Sequence, residues 1–353
     1  MIAGANAATV ILMILVGYSD RLSPEYHPLL SSLGLFFPLF LFVNIAFLFF
    51  WLLFKKRYTL ISFVGMLAGY GPVHTYLPLN LQKEVPDSTV KILSFNTLSM
   101  GECAMGEDGV NPVVDYVRRM DADIVCLQEA LTNTEVKQQI DSILGAHYPY
   151  IRHTYHPNGS GNAIMLLSKF PVLSEECVDY PSAGNLSVAY QLRIKGRKVL
   201  LISNHLETTG ISLEERREFK TLIKGKMETH EAETTSRALL ARLAEAARKR
   251  APQAEAVARY VCEHPLESVI VCGDFNDGPI SYAHHTIAQG LTDCFVASGN
   301  GLGISYHRSG FYVRIDNILC SPDCTPYDCK VDDKIDVSDH YPILCRLKIP
   351  SNH

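Results

Sequence analysis

Side chains capable of metal binding and acid–base chemistry stand at the ends of apolar runs in the larger, C-terminal part of the chain. Each run is rich in β-forming residues and lies next to a carboxylate, an amide or a histidine. These residues are Asn96, Glu129, His205, Asp274, Asn276 and Asp316, with Asp339 and His340 directly before the last run. Because ligand-binding loops gather at the strand ends of α/β sheets, we expect these side chains to lie together.

The types of these residues favour one kind of reaction. Carboxylate and amide oxygens, without a set of thiolates, suit a hard cation such as Mg²⁺ or Mn²⁺ rather than zinc. Mg²⁺ in proteins usually takes one or two carboxylates and keeps positions for water and phosphate oxygens. Two histidines and further carboxylates supply the acid–base and anion-stabilising groups that hydrolysis of a phosphoester requires. The set therefore predicts a divalent-metal-dependent phosphoester hydrolase.

Each of these residues taken alone has an ordinary structural explanation. An asparagine after a strand is usually a turn former, and a lone histidine such as His205 is often only a hydrogen-bonded core residue. What favours the enzyme is the appearance of all of them in order along the chain. Two other interpretations stay open: a catalytically inactive binding or signalling module on the same fold, and a membrane protein whose soluble part only supports assembly.

The elements that must position these residues are short apolar runs separated by helical patterns. The runs are VKILSFN, DIVCLQE, NAIMLLSK, KVLLISNHLE, SVIVCGDFN, VRIDNILCS and PILCRLKI. Such runs indicate buried strands, and helical segments such as NPVVDYVRRMDAD lie between them. The alternation predicts an α/β domain whose sheets are covered on both sides.

Residues 212–264 form a charged insert with helical periodicity. Its acidic and basic residues interleave at the spacing that supports solvated helices. The insert is predicted as a surface helical hairpin. The alternative is a lid or a membrane-facing element that carries Arg248, Lys249 and Arg250.

Residues 1–82 differ from the rest in being strongly apolar. Three stretches, at about 2–18, 29–54 and 58–79, lack any Lys, Arg, Asp or Glu. A helix needs about 20 mostly apolar residues to cross a bilayer, so we predict a membrane anchor of about three helices, followed by a linker at 83–89. The third stretch is interrupted by Gly71, Pro72 and His74, and a re-entrant segment is the alternative there.

The basic residues between these stretches predict the orientation of the anchor. The loop between the second and third stretches carries Lys55, Lys56 and Arg57, whereas the first loop has one Arg beside two acidic residues. The positive-inside rule places the basic loop in the cytoplasm. If the third stretch crosses, residues 90–353 lie on the extracytoplasmic side of an inner or plasma membrane.

Charge and cysteine content limit the interpretation of the large domain. The net charge is −5, and the first 82 residues contain four basic and two acidic residues, so the remainder carries about −7. That remainder lacks the broad basic surface typical of proteins that bind long nucleic acids. Cys126, Cys272 and Cys345 lie in apolar runs and are predicted to be buried thiols. The sequence assigns no disulfide pairing.

The ordered motifs SFN, QE, NHL, GDFN, RID and SDH resemble the endonuclease/exonuclease/phosphatase superfamily over about 260 residues, from Val90 to near Ile349. The resemblance implies an α/β fold, a four-layer sandwich of two mixed β-sheets flanked by helices, with the active site at one end. It also implies a Mg²⁺ or Mn²⁺ site in which Glu129 is the main ligand. Asn96 and Asp339 would complete that metal site.

The same resemblance implies roles for the catalytic residues. Asp274 would orient or deprotonate the attacking water, and Asn276 would hold that water or the phosphate. His205 would bind a phosphoryl oxygen and protonate the leaving group. Asp316 would hydrogen-bond His340, and His340 would stabilise the charge of the transition state.

The motifs narrow the branch of the superfamily without fixing a substrate. NHLETTG and GDFNDGP look more like the deoxyribonuclease and neutral sphingomyelinase side than the other branches. The N-terminal helices resemble those of membrane-tethered bacterial members. The implied partners are a phosphoester substrate, whether lipid headgroup, small phosphodiester or nucleic acid, and a lipid bilayer. No protein partner is implied.

Overall fold

The computed structural model describes residues 1–156, 158, 162–226, 228–308 and 310–351. It contains an N-terminal helical region and a larger domain built on two β-sheets. The helices of the N-terminal region are α1 (Ile2–Gly17), α2 (Pro28–Ser31), α3 (Phe37–Phe54), α4 (Thr59–Ala68) and α5 (Tyr70–Tyr76).

Two N-terminal segments, Ile2–Arg21 and Pro28–Phe54, are long and apolar enough to cross a membrane. The third apolar stretch is divided into α4 and α5 at Gly69. Neither of these helices alone reaches the length of a bilayer-spanning helix. Together they nevertheless run the length of α1: the side chain of Ser62 contacts Asn6, and Pro72 lies against Gly17.

A buried polar cluster joins these helices near the start of α1. The Asn6 amide nitrogen donates to Oδ1 of Asn44 at 3.2 Å and to Oγ of Ser62 at 3.0 Å. The indole nitrogen of Trp51 donates to Oδ1 of Asn6 at 2.9 Å. Hydrogen bonds of this kind between apolar helices fix which faces pack together.

The larger domain contains two six-stranded mixed sheets. The first has the strand order β11-β12-β1-β2-β4-β3, and the second has the order β5-β6-β7-β8-β10-β9. The strands are β1 (Val90–Asn96), β2 (Ile124–Gln128), β3 (Tyr150–Tyr155), β4 (Ala163–Ser168), β5 (Val172–Cys177), β6 (Leu186–Ile194), β7 (Arg197–His205), β8 (Ser268–Asp274), β9 (Thr292–Asp293), β10 (Asp316–Cys320), β11 (Thr325–Val331) and β12 (Ile343–Lys348).

The larger domain also contains the helices α6 (Leu98–Glu102), α7 (Pro112–Met120), α8 (Thr134–Gln139), α9 (Leu213–Ile223), α10 (Thr229–Glu263), α11 (Tyr282–Ile287) and α12 (Cys294–Ser298). Several of them cover the outer faces of the two sheets, whereas Cys294 and Phe295 of α12 lie in the core between the sheets. The start of α7 shows how the sequence sets an element: Pro112 occupies the first turn, and the Asn111 side chain accepts from two backbone N–H groups there. Helix α6 is a single left-handed turn, with positive φ at residues 98–103.

The two sheets face each other and enclose the central hydrophobic core, which includes Ile92, Cys126, Leu201 and Ile270. Each sheet also has one hydrophobic core on its outer face, between the sheet and its helices. The predicted four-layer α/β sandwich of two mixed sheets flanked by helices is therefore confirmed. All seven predicted runs form strands, whereas β3, β5, β6, β9 and β11 were not predicted because they lack a continuous apolar run.

All ten cysteines are free thiols. Cys126, Cys272 and Cys345 are buried inside β2, β8 and β12, as predicted. The chain between α5 and β1 contains the predicted linker at 83–89 and forms no regular helix or strand.

The N-terminal region is docked on the larger domain and not only tethered to it. A Cβ added at Gly34 would lie 1.9 Å from the Ile280 backbone oxygen, so the two backbones touch there. The buried Arg314 guanidinium donates to the backbone oxygens of Thr75 and Leu302. The Asn80 amide nitrogen donates to the backbone oxygens of Val296 in α12 and of Gly299 directly after it.

The charged insert forms the helical hairpin of α9 and α10. The second half of α10 packs on the second sheet through Ala254 and Val257. Arg250 is buried and pairs with Asp277 at 3.1 Å, so it does not belong to an exposed basic cluster facing a membrane. Its burial follows from its position on the inner face of the helix, which the sequence pattern alone did not distinguish.

Candidate functional site

The polar residues singled out in the sequence meet at one edge of the sandwich because of strand direction. β1 and β2 are parallel and end together, with Asn96 paired to Gln128. β7 and β8 are also parallel, with His205 paired to Asp274, and Asp316 begins the antiparallel β10 opposite Asp274. The loop before β12 brings Asp339 and His340 to the same edge, since β12 is antiparallel to β1.

The site is joined across the two sheets by Asn96. Its amide nitrogen donates to Oε1 of Glu129 at 3.1 Å and to Oδ2 of Asp274 at 3.0 Å. Asn96 lies in the first sheet and Asp274 in the second, so this one amide connects the two halves of the domain. The two carboxylate oxygens are thereby held on a common donor and converge on one point.

His340 forms a buried pair with Asp316. Nδ1 of His340 lies 2.8 Å from Oδ2 of Asp316, and Nε2 lies 3.7 Å from Oδ2 of Asp274. Burial disfavours the charged imidazole, but the carboxylates of Asp316 and Asp274 outweigh it and raise the pKa of His340 to about 10. His340 is therefore an imidazolium at neutral pH, with Nε2–H directed at the site.

His205 has the opposite protonation behaviour. Burial lowers its pKa, so the ring is neutral at neutral pH. Its Nδ1 lies 2.9 Å from the Asn162 amide nitrogen, whose carbonyl oxygen accepts from the Ala163 backbone N–H. Nδ1 is thus an acceptor, and the proton is on Nε2, which lies 3.5 Å from Oε1 of Glu129 and 3.8 Å from Oδ2 of Asp274.

Three backbone positions in the site have unusual conformations. Glu129 and Asn276 have positive φ, at 48° and 51°, which non-glycine residues rarely adopt. At Gly273, with φ 119°, an added Cβ would lie 2.1 Å from the Asn204 backbone oxygen. Such strain concentrates at functional sites, and here it turns Glu129 and the segment after β8 towards the convergence point.

The donor set fits a hard divalent cation. Asp274, Asp316 and His340 place ligand atoms within 4.8 Å of one another. His340, however, is cationic and uses Nδ1 for Asp316, so the Glu129 and Asp274 oxygens beside Asn96 are the better ligands. Burial, with the nearby charge of Asp339, raises the pKa of Glu129. Burial and Asp316 raise that of Asp274 to about 6. A cation between these carboxylates would relieve their repulsion.

The eight predicted site residues fall into two groups, six in one connected cluster and two that only line the cavity beside it. Asn96, Glu129, His205, Asp274, Asp316 and His340 form one connected cluster, and Asp339 lines the same cavity. Asn276 lines the cavity as well, but its amide nitrogen donates to the Leu206 backbone oxygen at 2.8 Å. The second N–H of that amide is left for a phosphate oxygen or a water, and its carbonyl oxygen is left for a water.

Three site residues were not found from the sequence. Asn162 is the first residue of the predicted run NAIMLLSK, and this position at a strand end was a usable signal. Arg216 and Tyr306 lie far from any motif: Nη1 of Arg216 is 2.5 Å from the Tyr306 hydroxyl, and the Tyr306 ring lies 5.1 Å from the His340 ring. Only the fold brings these two residues to the site.

Two family models match different parts of the chain. The family model described as "Endonuclease/Exonuclease/phosphatase family" matches residues 93–340. A second model, a domain of unknown function (DUF8431), matches residues 1–76. The comparison with curated proteins gave no match.

Solved structures share the fold at low sequence identity. The human Nocturnin catalytic domain with bound sulfate is 15% identical, covers 77% of this chain and 97% of its own, and has a TM-score of 0.53. D. rerio TDP2 in complex with a single-strand DNA product is 18% identical, with 74% and 100% covered and a TM-score of 0.51. A family protein from Leptotrichia buccalis is 14% identical, with 74% and 100% covered and a TM-score of 0.50.

Proposed function

The chain belongs to the endonuclease/exonuclease/phosphatase family, and we propose on this premise that it is a membrane-anchored, Mg²⁺- or Mn²⁺-dependent phosphoester hydrolase. One observation carries the proposal. The carboxylates of Glu129 and Asp274 converge on the Asn96 amide, between a charged His340 and a neutral His205. An inactive module on the same fold would not need two histidines held in opposite protonation states.

The cation would be held by Glu129 and Asp274, with Asn96 and Asp339 completing the site. When bound, it would neutralise charge on the phosphoryl oxygens and on the two carboxylates. The resemblance gave Asp274 a role only on the attacking water, whereas this assignment also makes it a metal ligand. The other carboxylate oxygen of Asp274, Oδ1, accepts a hydrogen bond from the Asn276 backbone N–H at 2.7 Å.

The remaining residues supply proton transfer and charge stabilisation. His340, held by Asp316, donates Nε2–H to a phosphoryl oxygen and stabilises the negative charge of the transition state. Asp274, the buried carboxylate at the convergence point, accepts a proton from the attacking water. The water oxygen bonds to phosphorus and the ester P–O bond breaks. The leaving oxygen accepts a hydrogen bond from Nε2–H of His205 and takes its proton from solvent water.

The N-terminal region supports anchoring in a membrane. Two segments have spanning length, and many of their large apolar side chains are exposed, including Leu15, Phe49 and Leu53. The larger domain docks at the end of the helices opposite Lys55, Lys56 and Arg57. By the positive-inside rule the larger domain then lies on the extracytoplasmic side. Reporter fusions after Lys56 and after Lys83 test this, since a cytoplasmic signal after Lys83 contradicts it.

The activity is tested on the full-length protein in detergent. Bis(p-nitrophenyl) phosphate and p-nitrophenyl phosphate are supplied with Mn²⁺ or Mg²⁺, and with EDTA in parallel. We expect metal-dependent release of p-nitrophenol that is lost in Asp274→Asn and in His340→Ala. Release that is the same in these variants, or that persists in EDTA, contradicts the proposal.

A further inference from the structure

A cavity of about 640 Å³ begins at the catalytic residues and extends between the larger domain and the N-terminal region. Its polar end is formed by Glu129, Asp274, Asp339 and His340. The rest of its wall is mainly apolar, and we call this part the groove. The groove is lined by Leu35, Phe36, Phe219, Leu239, Leu240 and Leu243.

We propose that the groove holds an acyl chain of a phospholipid whose phosphoester lies at the catalytic residues. This inference rests on the proposed function and names its substrate class. A substrate for this cavity must present a phosphate at one end and apolar surface along the other, because burying a polar group against Leu239, Leu240 and Leu243 is unfavourable. The volume is that of a site for one small molecule.

The groove is continuous with the surface that would face the bilayer. Leu35 and Phe36 line the groove, are each 39% exposed, and stand immediately before α3. The contact of Gly34 with Ile280 fixes this segment against the larger domain. A lipid beside α3 therefore reaches the catalytic end along apolar side chains, without first being transferred into water.

The helical hairpin of α9 and α10 presents an apolar face to the groove. Leu239, Leu240 and Leu243 are half-buried and face the cavity, whereas Ala241 and Arg242 on the same turn of α10 are exposed. Phe219 of α9 stacks on Phe311 at 4.2 Å between ring centroids. The inner face of the hairpin thus closes the groove opposite the N-terminal region.

Arg216 lies where the apolar and polar parts of the cavity meet. It contacts Tyr306, and among the residues the structure describes it has no carboxylate within ion-pair distance. A guanidinium in this position suits an anionic oxygen of a lipid headgroup or phosphate. The larger domain is otherwise acidic, at about −7, which disfavours the extended phosphate backbone of a nucleic acid.

The test uses the full-length protein in dodecyl maltoside mixed micelles with Mn²⁺. Phosphatidylglycerol, phosphatidylcholine and phosphatidic acid are offered at equal mole fraction, beside their deacylated glycerophosphate counterparts, bis(p-nitrophenyl) phosphate and single-stranded DNA. We expect at least one phospholipid to be hydrolysed with a kcat/KM at least tenfold above that of its deacylated counterpart. With water-soluble short-chain forms of that lipid, kcat/KM should rise with chain length, by up to about fourfold per buried methylene.

Variants of α10 locate the effect in the groove. Leu240→Glu places a charge on the groove wall, and Ala241→Glu places the same charge on the exposed face of the same helix. We expect L240E to lower the ratio of phospholipid to bis(p-nitrophenyl) phosphate hydrolysis at least tenfold, and A241E to leave both rates within twofold of wild type. An unchanged ratio in L240E overturns the inference.

The outcomes separate this inference from the proposed function. Hydrolysis of bis(p-nitrophenyl) phosphate without hydrolysis of any phospholipid overturns the lipid substrate and leaves the hydrolase intact. Cleavage of DNA alone, with a steep salt dependence, overturns it in favour of a nuclease. If L240E is poorly folded, the chain-length series of the wild type decides, and rates independent of chain length overturn the inference. No metal-dependent hydrolysis of any substrate contradicts the proposed function itself.

Discussion

The Asn162 amide nitrogen lies 2.9 Å from Nδ1 of His205, and this contact decides which ring nitrogen carries the proton. The Asn162 carbonyl oxygen is occupied by the Ala163 N–H, so the amide cannot turn round without losing a hydrogen bond. His205 therefore presents Nε2–H to Glu129 and Asp274. A residue outside the catalytic cluster thus sets the chemistry of a residue inside it.

Replacing Asn162 by Asp is expected to impair catalysis more than replacing it by Ala. The carboxylate would accept from Nδ1–H and so favour the wrong tautomer, or the imidazolium, of His205. We expect kcat to fall by about 10²-fold or more in N162D and by roughly tenfold in N162A. Steady-state kinetics measure the difference, and nitrogen NMR of the histidine ring reports the tautomer. Equal losses in the two variants, with an unchanged tautomer, would show that Asn162 has only a packing role.

Asp316→Asn is expected to move the alkaline limb of the pH–rate profile to lower pH. The pKa of His340 is held at about 10 by Asp316 and Asp274. Losing one carboxylate lowers that pKa, so the imidazolium loses its proton at a lower pH than in the wild type. We also expect kcat at neutral pH to fall by about 10²- to 10³-fold, the usual loss for one transition-state donor. An alkaline limb that stays in place in D316N would exclude His340 as the group being titrated.

Metal affinity is expected to weaken as the pH falls below about 6. Without a cation, burial raises the pKa of Asp274 to about 6 and also raises that of Glu129. A cation requires the carboxylates in their ionised form, so protons compete with it below these pKa values and not above them. Calorimetric titration with Mn²⁺ at pH 7.5 and pH 5.5 measures the difference. An affinity that is the same at both pH values would place the metal away from Asp274.

Gly34→Ala is expected to loosen the docking of the N-terminal region. The added Cβ would lie 1.9 Å from the Ile280 oxygen, which is backbone and cannot turn aside. Gly4→Ala is the matched control, since a Cβ at Gly4 meets nothing within 4 Å. We expect faster proteolysis between residues 77 and 89 and a lower Tm in detergent for G34A, and neither change for G4A. Wild-type proteolysis in G34A would show that the contact is not needed for docking.

The sequence by itself determined the central elements and the residues of the candidate site. Seven apolar runs became strands because continuous burial leaves a strong signal, and the residues beside them converge because parallel strands end at a common edge. Six of the eight predicted site residues form one hydrogen-bonded and ion-paired cluster. β5, which has no continuous apolar run, left no comparable signal, because nearly all of its residues are exposed.

The tertiary structure alone decided which groups modify that cluster and what surrounds it. The different protonation states of His205 and His340 depend on burial and on the neighbours Asn162 and Asp316, which are distant in sequence. Arg216 and Tyr306 reach the site through the hairpin and a loop with no motif. The groove lies between the larger domain and an N-terminal segment that touches it at Gly34. Residue types fix which chemistry is possible. The distances between residues that are remote in sequence fix the charge and protonation of each histidine and the shape of the cavity beside them.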